Sequence, residues 1–299
     1  MKILIAEDDM TSRLVLGATL KKLGHEVTAT SDGREAWDAL DKEHFPLLIS
    51  DWMMPDMDGL ELCRLIRAAD QPQYTYIILL TALGGKASYL DGMDAGADDF
   101  ITKPFDEEQL VARLRVAERI LDLHEKLREL AMHDGLTGLL NRATIVESLT
   151  HELDRAARDG KPLGVVLLDL DHFKRVNDTY GHASGDAVLK EAAQRLKSLM
   201  RCYDKVGRYG GEEFLIVAPD CSQEDIVTLT ERVRNRIGGE VVPTPEGPLP
   251  MSCSLGAAVS ATGQKEDGAA LIARADAALY RAKAGGRNRT ELATAEVAV

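Results

Sequence analysis

The chain of 299 residues is short of three things. Cysteine is scarce and scattered: Cys63, Cys202, Cys221 and Cys253 share no paired spacing, which argues against a zinc cluster or a disulfide framework and fits a reducing, cytoplasmic setting. Long apolar runs are missing. Nothing approaches the roughly 20 residues that span a bilayer, so no membrane partner is expected. The opening Met1-Lys2-Ile3-Leu4-Ile5-Ala6 is too short, and too soon followed by acids, for a signal peptide, and it reads as a first strand. Positive charge is in deficit. Residues 1–118 carry 12 Lys+Arg against 22 Asp+Glu, residues 119–299 carry 24 against 27, and the net charge is −13, which argues against DNA as a partner. A nucleotide in a local basic pocket stays open.

The length suits two domains. Up to about residue 118, strand-like runs at 1–6, 27–30, 47–50, 76–81 and 98–102 alternate with helical patterns that include 12–23 and 33–40. Such alternation predicts a parallel sheet covered on both faces, with its ligand beyond the carboxyl ends of the strands. Glu7, Asp8 and Asp9 follow the first strand, Asp51 follows the run at 47–50, Thr81 ends the next, and Lys103-Pro104 follows the last. Clustered carboxylates repel unless a cation sits between them, so a divalent metal is implied. Asp9 and Asp56 also suit helix N-caps.

These residues, with Met54-Pro55-Asp56-Met57-Asp58-Gly59 and Phe105, resemble a response-regulator receiver domain over about residues 1–118. The resemblance implies a doubly wound, five-stranded parallel, flavodoxin-like fold in which Asp51 accepts a phosphoryl group from a histidine kinase or phosphotransfer protein. It implies one Mg²⁺ on Glu7, Asp8, Asp51 and the carbonyl of Met53, with Thr81 and Lys103 on the phosphoryl oxygens. Phe100 matches the aromatic switch position, without the hydroxyl of the more usual Tyr, and the Lys103–Pro104 bond is cis in the family. Phosphorylation adds about −1.5 to −2 charges to a site that already repels itself, and inward movement of Lys103 and Thr81 would make a two-state element.

Residues 108–132 lack Gly and Pro. Leu110, Leu114, Ala117, Leu121 and His124 form one stripe, and Val116, Ile120, Leu123, Leu127 and Leu130 a second, both spaced 4, 3, 4, 3. Two adjacent stripes make a wide apolar face on a long helix, whose part from 119 to 132 is either a plain linker or a dimer stalk.

The last unit, 133–299, contains Arg208-Tyr209-Gly210-Gly211-Glu212-Glu213-Phe214 ahead of an apolar run. This predicts a hairpin whose Gly-Gly turn lets a ligand approach, with two acids at its rim, or else a solvated hairpin tip. Neighbours in a strand point to opposite faces, so Glu212 and Glu213 are expected to do different jobs. A helix is expected over 142–159 and a strand over 162–169 ending in Asp169. A turn with Lys174 follows, suited to phosphates at a helix start. Residues 181–186 read as a loop leading into a helix over 187–199. There Asp186 is either an N-cap or, with Asn177, a reader of guanine through its ring N–H and amine. Lys283 and Arg287 share a face if the helix at 275–283 continues, which Gly285-Gly286 leaves open.

Residues 134–290 resemble a GGDEF domain, the diguanylate cyclase family, in the stretches 134–142, 169–177, 181–186, 208–214 and 275–288. The resemblance implies an α+β fold akin to nucleotidyl cyclases and polymerase palms, and condensation of two GTP to cyclic di-GMP with release of two pyrophosphates. Two Mg²⁺ would sit on Asp169, Glu212 and the carbonyl of Leu170, with Glu213 as a metal ligand or base. Backbone N–H groups around Phe173, with Lys174, Lys283 and Arg287, would take the phosphates. Gly210 and Gly211 would leave room for substrate, and Asn177 and Asp186 would read guanine. Arg201-Cys202-Tyr203-Asp204 is by itself a surface ion-pair pattern. At its offset from Gly210 it resembles the family's product-inhibition site, with Arg201 and Asp204 gripping cyclic di-GMP. The expected protein is a phosphorylation-regulated homodimeric cyclase. A catalytically silent cyclic di-GMP receptor acting through protein contacts is the alternative.

Overall fold

The computed structural model describes residues 1–69, 73–82, 86–261, 263 and 266–293, and of residues 86–89 the backbone only. Two compact units divide between Arg128 and Glu129. The first runs β1 (Lys2–Ala6), α1 (Met10–Lys22), β2 (Glu26–Thr30), α2 (Gly33–Lys42), β3 (Leu47–Asp51), α3 (Gly59–Ala68), β4 (Tyr76–Thr81), α4 (Lys86–Asp94), β5 (Asp99–Thr102) and α5 (Glu107–Met132). Its strands are all parallel, in the order β2-β1-β3-β4-β5. The parallel sheet is the one the alternation predicts, and its strand order is the flavodoxin-like one that the receiver resemblance implies.

Short acids start the helices. Asp9, Asp32 and Asp58 each accept the backbone N–H three residues on, which satisfies a donor that the first turn leaves unpaired. Asp9 is thus the N-cap foreseen. Asp56 is not: it has φ 63°, and Asp58 caps α3 in its place. Strand residues alternate between two cores. Leu4, Leu48 and Leu79 face α2 and α3, while Ile3, Ile49 and Ile78 face Leu16 and Leu20 of α1 and Leu110 and Leu114 of α5.

Helix α5 carries both stripes. Leu110, Leu114 and Ala117 are buried, and His124 stacks on Tyr74 at 4.2 Å between ring centroids. Leu123, Leu127 and Leu130 are exposed. Among the described residues no helix is long and apolar enough to cross a membrane.

The second unit runs α6 (Arg142–Asp159), β6 (Leu163–Leu170), α7 (Phe173–Leu199), β7 (Lys205–Gly210), β8 (Glu213–Pro219), α8 (Gln223–Gly238), β9 (Cys253–Val259), α9 (Gly268–Ala284) and β10 (Thr290–Leu292). The sheet order is β10-β9-β6-β8-β7, antiparallel except for β9 with β10. Central β6 is buried throughout. Val166, Leu168 and Leu170 face α7 and α8, and Val165 and Leu167 face α6 and α9.

Two local expectations are corrected here, and one left open is decided. Residues 181–186 are not a loop: α7 is interrupted only at Gly181, whose φ of 77° kinks it, so Asp186 lies inside the helix and caps nothing. The hairpin turns at Gly211-Glu212 rather than Gly210-Gly211, and neither glycine has positive φ. Arg287 is not on the face of Lys283, because α9 stops at Ala284 and Arg287 sits in a left-handed turn with φ 64°.

Candidate functional site

Two acidic pockets lie at strand ends. In the first domain Glu7 follows β1 fully buried and Asp51 ends β3. One carboxylate oxygen each of Glu7, Asp8 and Asp51 lie within 4.8 Å of one another, a donor set that fits a hard divalent cation. Lys103 Nζ donates to Asp51 Oδ2 at 2.7 Å and to both oxygens of Glu7, the shorter bond also 2.7 Å. Burial raises the Glu7 carboxyl above its ordinary pKa, and Lys103 offsets only part of this. For Lys103, burial acts against the charge, but the bonds to Asp51 and Glu7 outweigh it and raise the pKa. Thr81 is buried at the end of β4, and the Lys103 N–H donates to its carbonyl at 2.8 Å. Phe100 is buried 6.3 Å from Trp52, ring to ring, and Met53 lies in the bend after β3. The Lys103–Pro104 bond is cis.

Sequence reasoning missed one part of this pocket and the reason for another. Arg13 Nη1 donates to the Asp8 carbonyl at 3.2 Å and also holds that of Glu7, so it braces the acidic pair from behind. Gly59 lets α3 start against the phosphoacceptor candidate: a Cβ there would stand 2.2 Å from the Asp51 carbonyl oxygen.

In the second domain, register makes the pocket. Asp169 pairs with Glu213 across β6 and β8, so their side chains share a face. Glu212 sits in the turn, and its carbonyl accepts from the Leu170 N–H at 3.3 Å. Asp169 is buried, and Lys283 Nζ from α9 lies 2.7 Å from its Oδ2. Burial raises the Asp169 pKa, and Lys283 counters part of the shift. Burial also raises Glu213, with the Asp169 charge adding to it. Neighbouring acids of raised pKa, only partly neutralised by one lysine, fit a divalent cation.

His172, in a left-handed conformation, starts α7 without a side-chain cap. Phe173 anchors that start in the core, and Lys174 is exposed beside it. Asn177 meets Gly185 across the Gly181 kink so closely that a Cβ on Gly185 would stand 1.9 Å from Asn177 Oδ1. Asp186 follows, exposed. The kink therefore brings Asn177 against Gly185, the residue before Asp186. Gly210 leaves room for Glu213, whose Oε2 an added Cβ would approach to 3.1 Å, while Gly211 faces open space.

A second cluster lies near Arg201. The Asp204 carboxylate accepts the Arg201 backbone N–H at 2.9 Å, while the Arg201 guanidinium donates to the Tyr203 hydroxyl at 3.1 Å. The two residues thus form a turn rather than the surface ion pair their spacing suggests. Arg201, Asp204, Asp225, Thr228 and Arg232 line one groove. Arg232, some thirty residues on in sequence, had no local signal.

Comparison with known proteins gives the family of each domain. Residues 131–289 match the family described as "Diguanylate cyclase, GGDEF domain", more than half the chain, and residues 3–115 match the response regulator receiver domain. The chain belongs to the GGDEF diguanylate cyclase family, with a receiver domain ahead of the GGDEF domain. Response regulator PleD of Caulobacter vibrioides is 33% identical over 250 residues, covering 81% of this chain and 55% of PleD. Diguanylate cyclase DgcP of Pseudomonas aeruginosa is 40% identical over 218 residues, covering 69% of this chain and 32% of DgcP. The chain thus spans about half or less of the length of these relatives. Among solved structures, the coiled coil and GGDEF domain of DgcB from Caulobacter crescentus, in complex with c-di-GMP, superposes with a TM-score of 0.58 at 32% identity, over 62% of this chain and 98% of that one. Diguanylate cyclase SiaD of Pseudomonas aeruginosa, in complex with its activator SiaC, gives 0.53 at 40% identity, over 62% and 71%.

Within the GGDEF domain one brace was not foreseen. Arg208 donates to the Gly211 carbonyl through Nε at 3.0 Å and Nη2 at 2.8 Å, and reaches Asp134 through Nη1 at 3.2 Å. Asp134 in turn accepts from Thr137 N and Oγ1 at 2.9 and 2.7 Å. The domain's opening loop therefore holds the hairpin turn. Its signal was the charged pair of an Arg and an Asp, too far apart in sequence to be matched by spacing.

Proposed function

We propose that the protein is a cytoplasmic diguanylate cyclase switched by phosphorylation of Asp51. The observation that carries this reading is the Asp169–Glu213 pair, set across two antiparallel strands beside the uncapped start of α7. In each of two equivalent steps the 3′-oxygen of one GTP bonds to the α-phosphorus of the other. The bond between that phosphorus and the bridging oxygen breaks, and pyrophosphate leaves with the electron pair. Glu213, whose raised pKa suits a base, takes the hydroxyl proton. Asp169, Glu212 and the Leu170 carbonyl would hold two Mg²⁺, which when bound lower the pKa of the attacking hydroxyl and offset the triphosphate charge. The backbone at Phe173, with Lys174, Lys283 and Arg287, takes the phosphates. Asn177 and Asp186 read guanine.

Each site holds one GTP, so two GGDEF domains must face each other. The exposed Leu123, Leu127 and Leu130 support a stalk between two copies over residues 119–132. A histidine kinase or phosphotransfer protein would phosphorylate Asp51 with one Mg²⁺ on Glu7, Asp8, Asp51 and the Met53 carbonyl. Thr81, Lys103 and Phe100 carry the response. Cyclic di-GMP would inhibit at Arg201 and Asp204, with Arg232 as a further phosphate ligand. That groove also favours the second reading, a silent receptor for cyclic di-GMP.

One experiment separates the two. Purified protein is incubated with GTP and Mg²⁺, with and without beryllium fluoride at Asp51, and the nucleotide is identified by chromatography. Cyclic di-GMP that increases with the phosphoryl mimic is expected. No product in either state, with cyclic di-GMP still bound, would establish the receptor instead.

A further inference from the structure

Asp171 is a buried carboxylate with no part in the mechanism above. Its Oδ1 accepts from Ser254 Oγ at 2.7 Å, and its Oδ2 from Ser252 Oγ at 2.8 Å and from the Asn288 backbone N–H at 3.0 Å. Its own N–H donates to the Ser252 carbonyl at 2.9 Å. A carboxylate this well supplied is locked in place, and one of its donors comes from the far end of the domain.

That donor belongs to a strained segment. Arg287 and Asn288 are consecutive non-glycine residues in the left-handed region, with φ of 64° and 45°. L-residues adopt this conformation in succession only where the surroundings hold them. The turn follows the end of α9, with the Arg287 N–H bonded to the Ala282 carbonyl at 3.1 Å. Beyond it the Arg289 carbonyl accepts from Leu255 N–H of β9 at 2.9 Å. Between these two anchors the Asp171 carboxylate receives the Asn288 amide. Arg234 Nη1 holds the Asn288 side chain through Oδ1 at 3.3 Å.

From this we infer that Asp171 is a positioning residue for triphosphate binding: it holds the left-handed Arg287–Asn288 turn and so aims Arg287 at the phosphates of GTP. The inference rests on the assignment of Arg287 as a phosphate ligand in the proposed function. It explains why the loop after β6 carries a second acid two residues beyond Asp169. One acid faces the reaction, and the other ties the phosphate-binding turn to the same loop.

The test reads binding without turnover. The full chain is titrated with a non-hydrolysable GTP analogue and with GMP, for the parent, Asp171→Ala, Arg287→Ala and the double variant. Asp171→Ala and Arg287→Ala should each weaken the analogue about tenfold and GMP little, and the double variant should be no weaker than Arg287→Ala alone. Asn288→Gly placed on Asp171→Ala should recover most of the loss, because glycine takes the left-handed conformation without help. If Asp171→Ala fails to fold, Asp171→Asn is read by the same titrations. The inference is overturned if the two losses add, if GMP and the analogue weaken alike, if glycine does not rescue, or if Arg287→Ala binds the analogue as the parent does. Cyclic di-GMP formation is assayed separately. Its absence alongside the expected binding pattern would sink the cyclase reading and leave the positioning role standing.

Discussion

The two domains each gather acids and a lysine at one end of a five-stranded sheet, but by different means. In the receiver domain every strand runs the same way, so all carboxyl ends fall on one edge. Glu7 after β1, Asp51 at the end of β3 and Lys103 after β5 meet there, with the lysine 2.7 Å from both acids. In the GGDEF domain a carboxyl end meets an amino end, Asp169 against Glu213, and the lysine arrives from helix α9. A slip of one residue would turn Glu213 to the other face. The first pocket follows from topology, whereas the second depends on register and on a helix docking at the right height.

The sharpest way to break this comparison is to disable each pocket separately. Asp169→Asn should lower the rate of cyclic di-GMP formation about 1000-fold, the scale on which lost transition-state electrostatics are felt. Asp51→Asn should remove the stimulation by acetyl phosphate. Initial rates followed by chromatography test both, and stimulation that survives in Asp51→Asn would refute the switch. Next in size is the groove beside Arg201, proposed above as the inhibitory site. Arg232→Ala should raise the cyclic di-GMP concentration needed for inhibition about tenfold, since a hydrogen bond to a charged group contributes about 1.5–3 kcal/mol. Product titrations measure it, and an unchanged curve would remove Arg232 from the groove's function.

Two further contrasts concern stability. Gly59→Ala would place a Cβ 2.2 Å from the Asp51 carbonyl oxygen and should cost the receiver domain about 1–3 kcal/mol. Gly211→Ala meets nothing within 4 Å and should stay within about 0.5 kcal/mol. Denaturant midpoints of the two transitions decide between them.

The smallest effect is on pH. Burial raises the folded-state pKa of Asp169 and Glu213 in one domain and of Glu7 in the other. The folded protein keeps these protons at pH values where the unfolded chain has released them. The contribution is therefore full below the ordinary carboxylate pKa and lost as pH rises through the raised one. Metal-free protein should melt a few degrees lower above that window than within it. Glu7→Gln should flatten the trend in the receiver transition, and Glu213→Gln in the other. A melting temperature that climbs through the window in either variant's parent transition would contradict the burial effect.

How much was legible follows from the same contrast. Strand and helix alternation, together with acids at successive strand ends, was enough to anticipate the first sheet and its pocket, because a parallel sheet leaves few places for such residues. The second pocket was read from resemblance. Spacing alone put Glu212 and Glu213 on opposite faces, but not which of them lies opposite Asp169. The Gly-Gly pair points to a turn one residue before the observed one, and the composition of 181–186 suggests a loop although only Gly181 leaves the helix. Local composition marks a glycine as permissive without saying whether one residue or six will use the freedom.

The amino-acid sequence by itself determined the two-domain order, the parallel sheet, the long helix α5 and the family resemblance, since these rest on periodicity and on motifs contiguous in the chain. Only the tertiary structure decided that Glu213 stands against Asp169, that Lys283 pairs with Asp169, that Arg208 braces the hairpin from Asp134, and that Asp171 reaches Asn288. Each of these joins residues far apart in sequence. Their partnership depends on strand register and helix docking, which hydrophobic packing sets across the whole domain and no local spacing records.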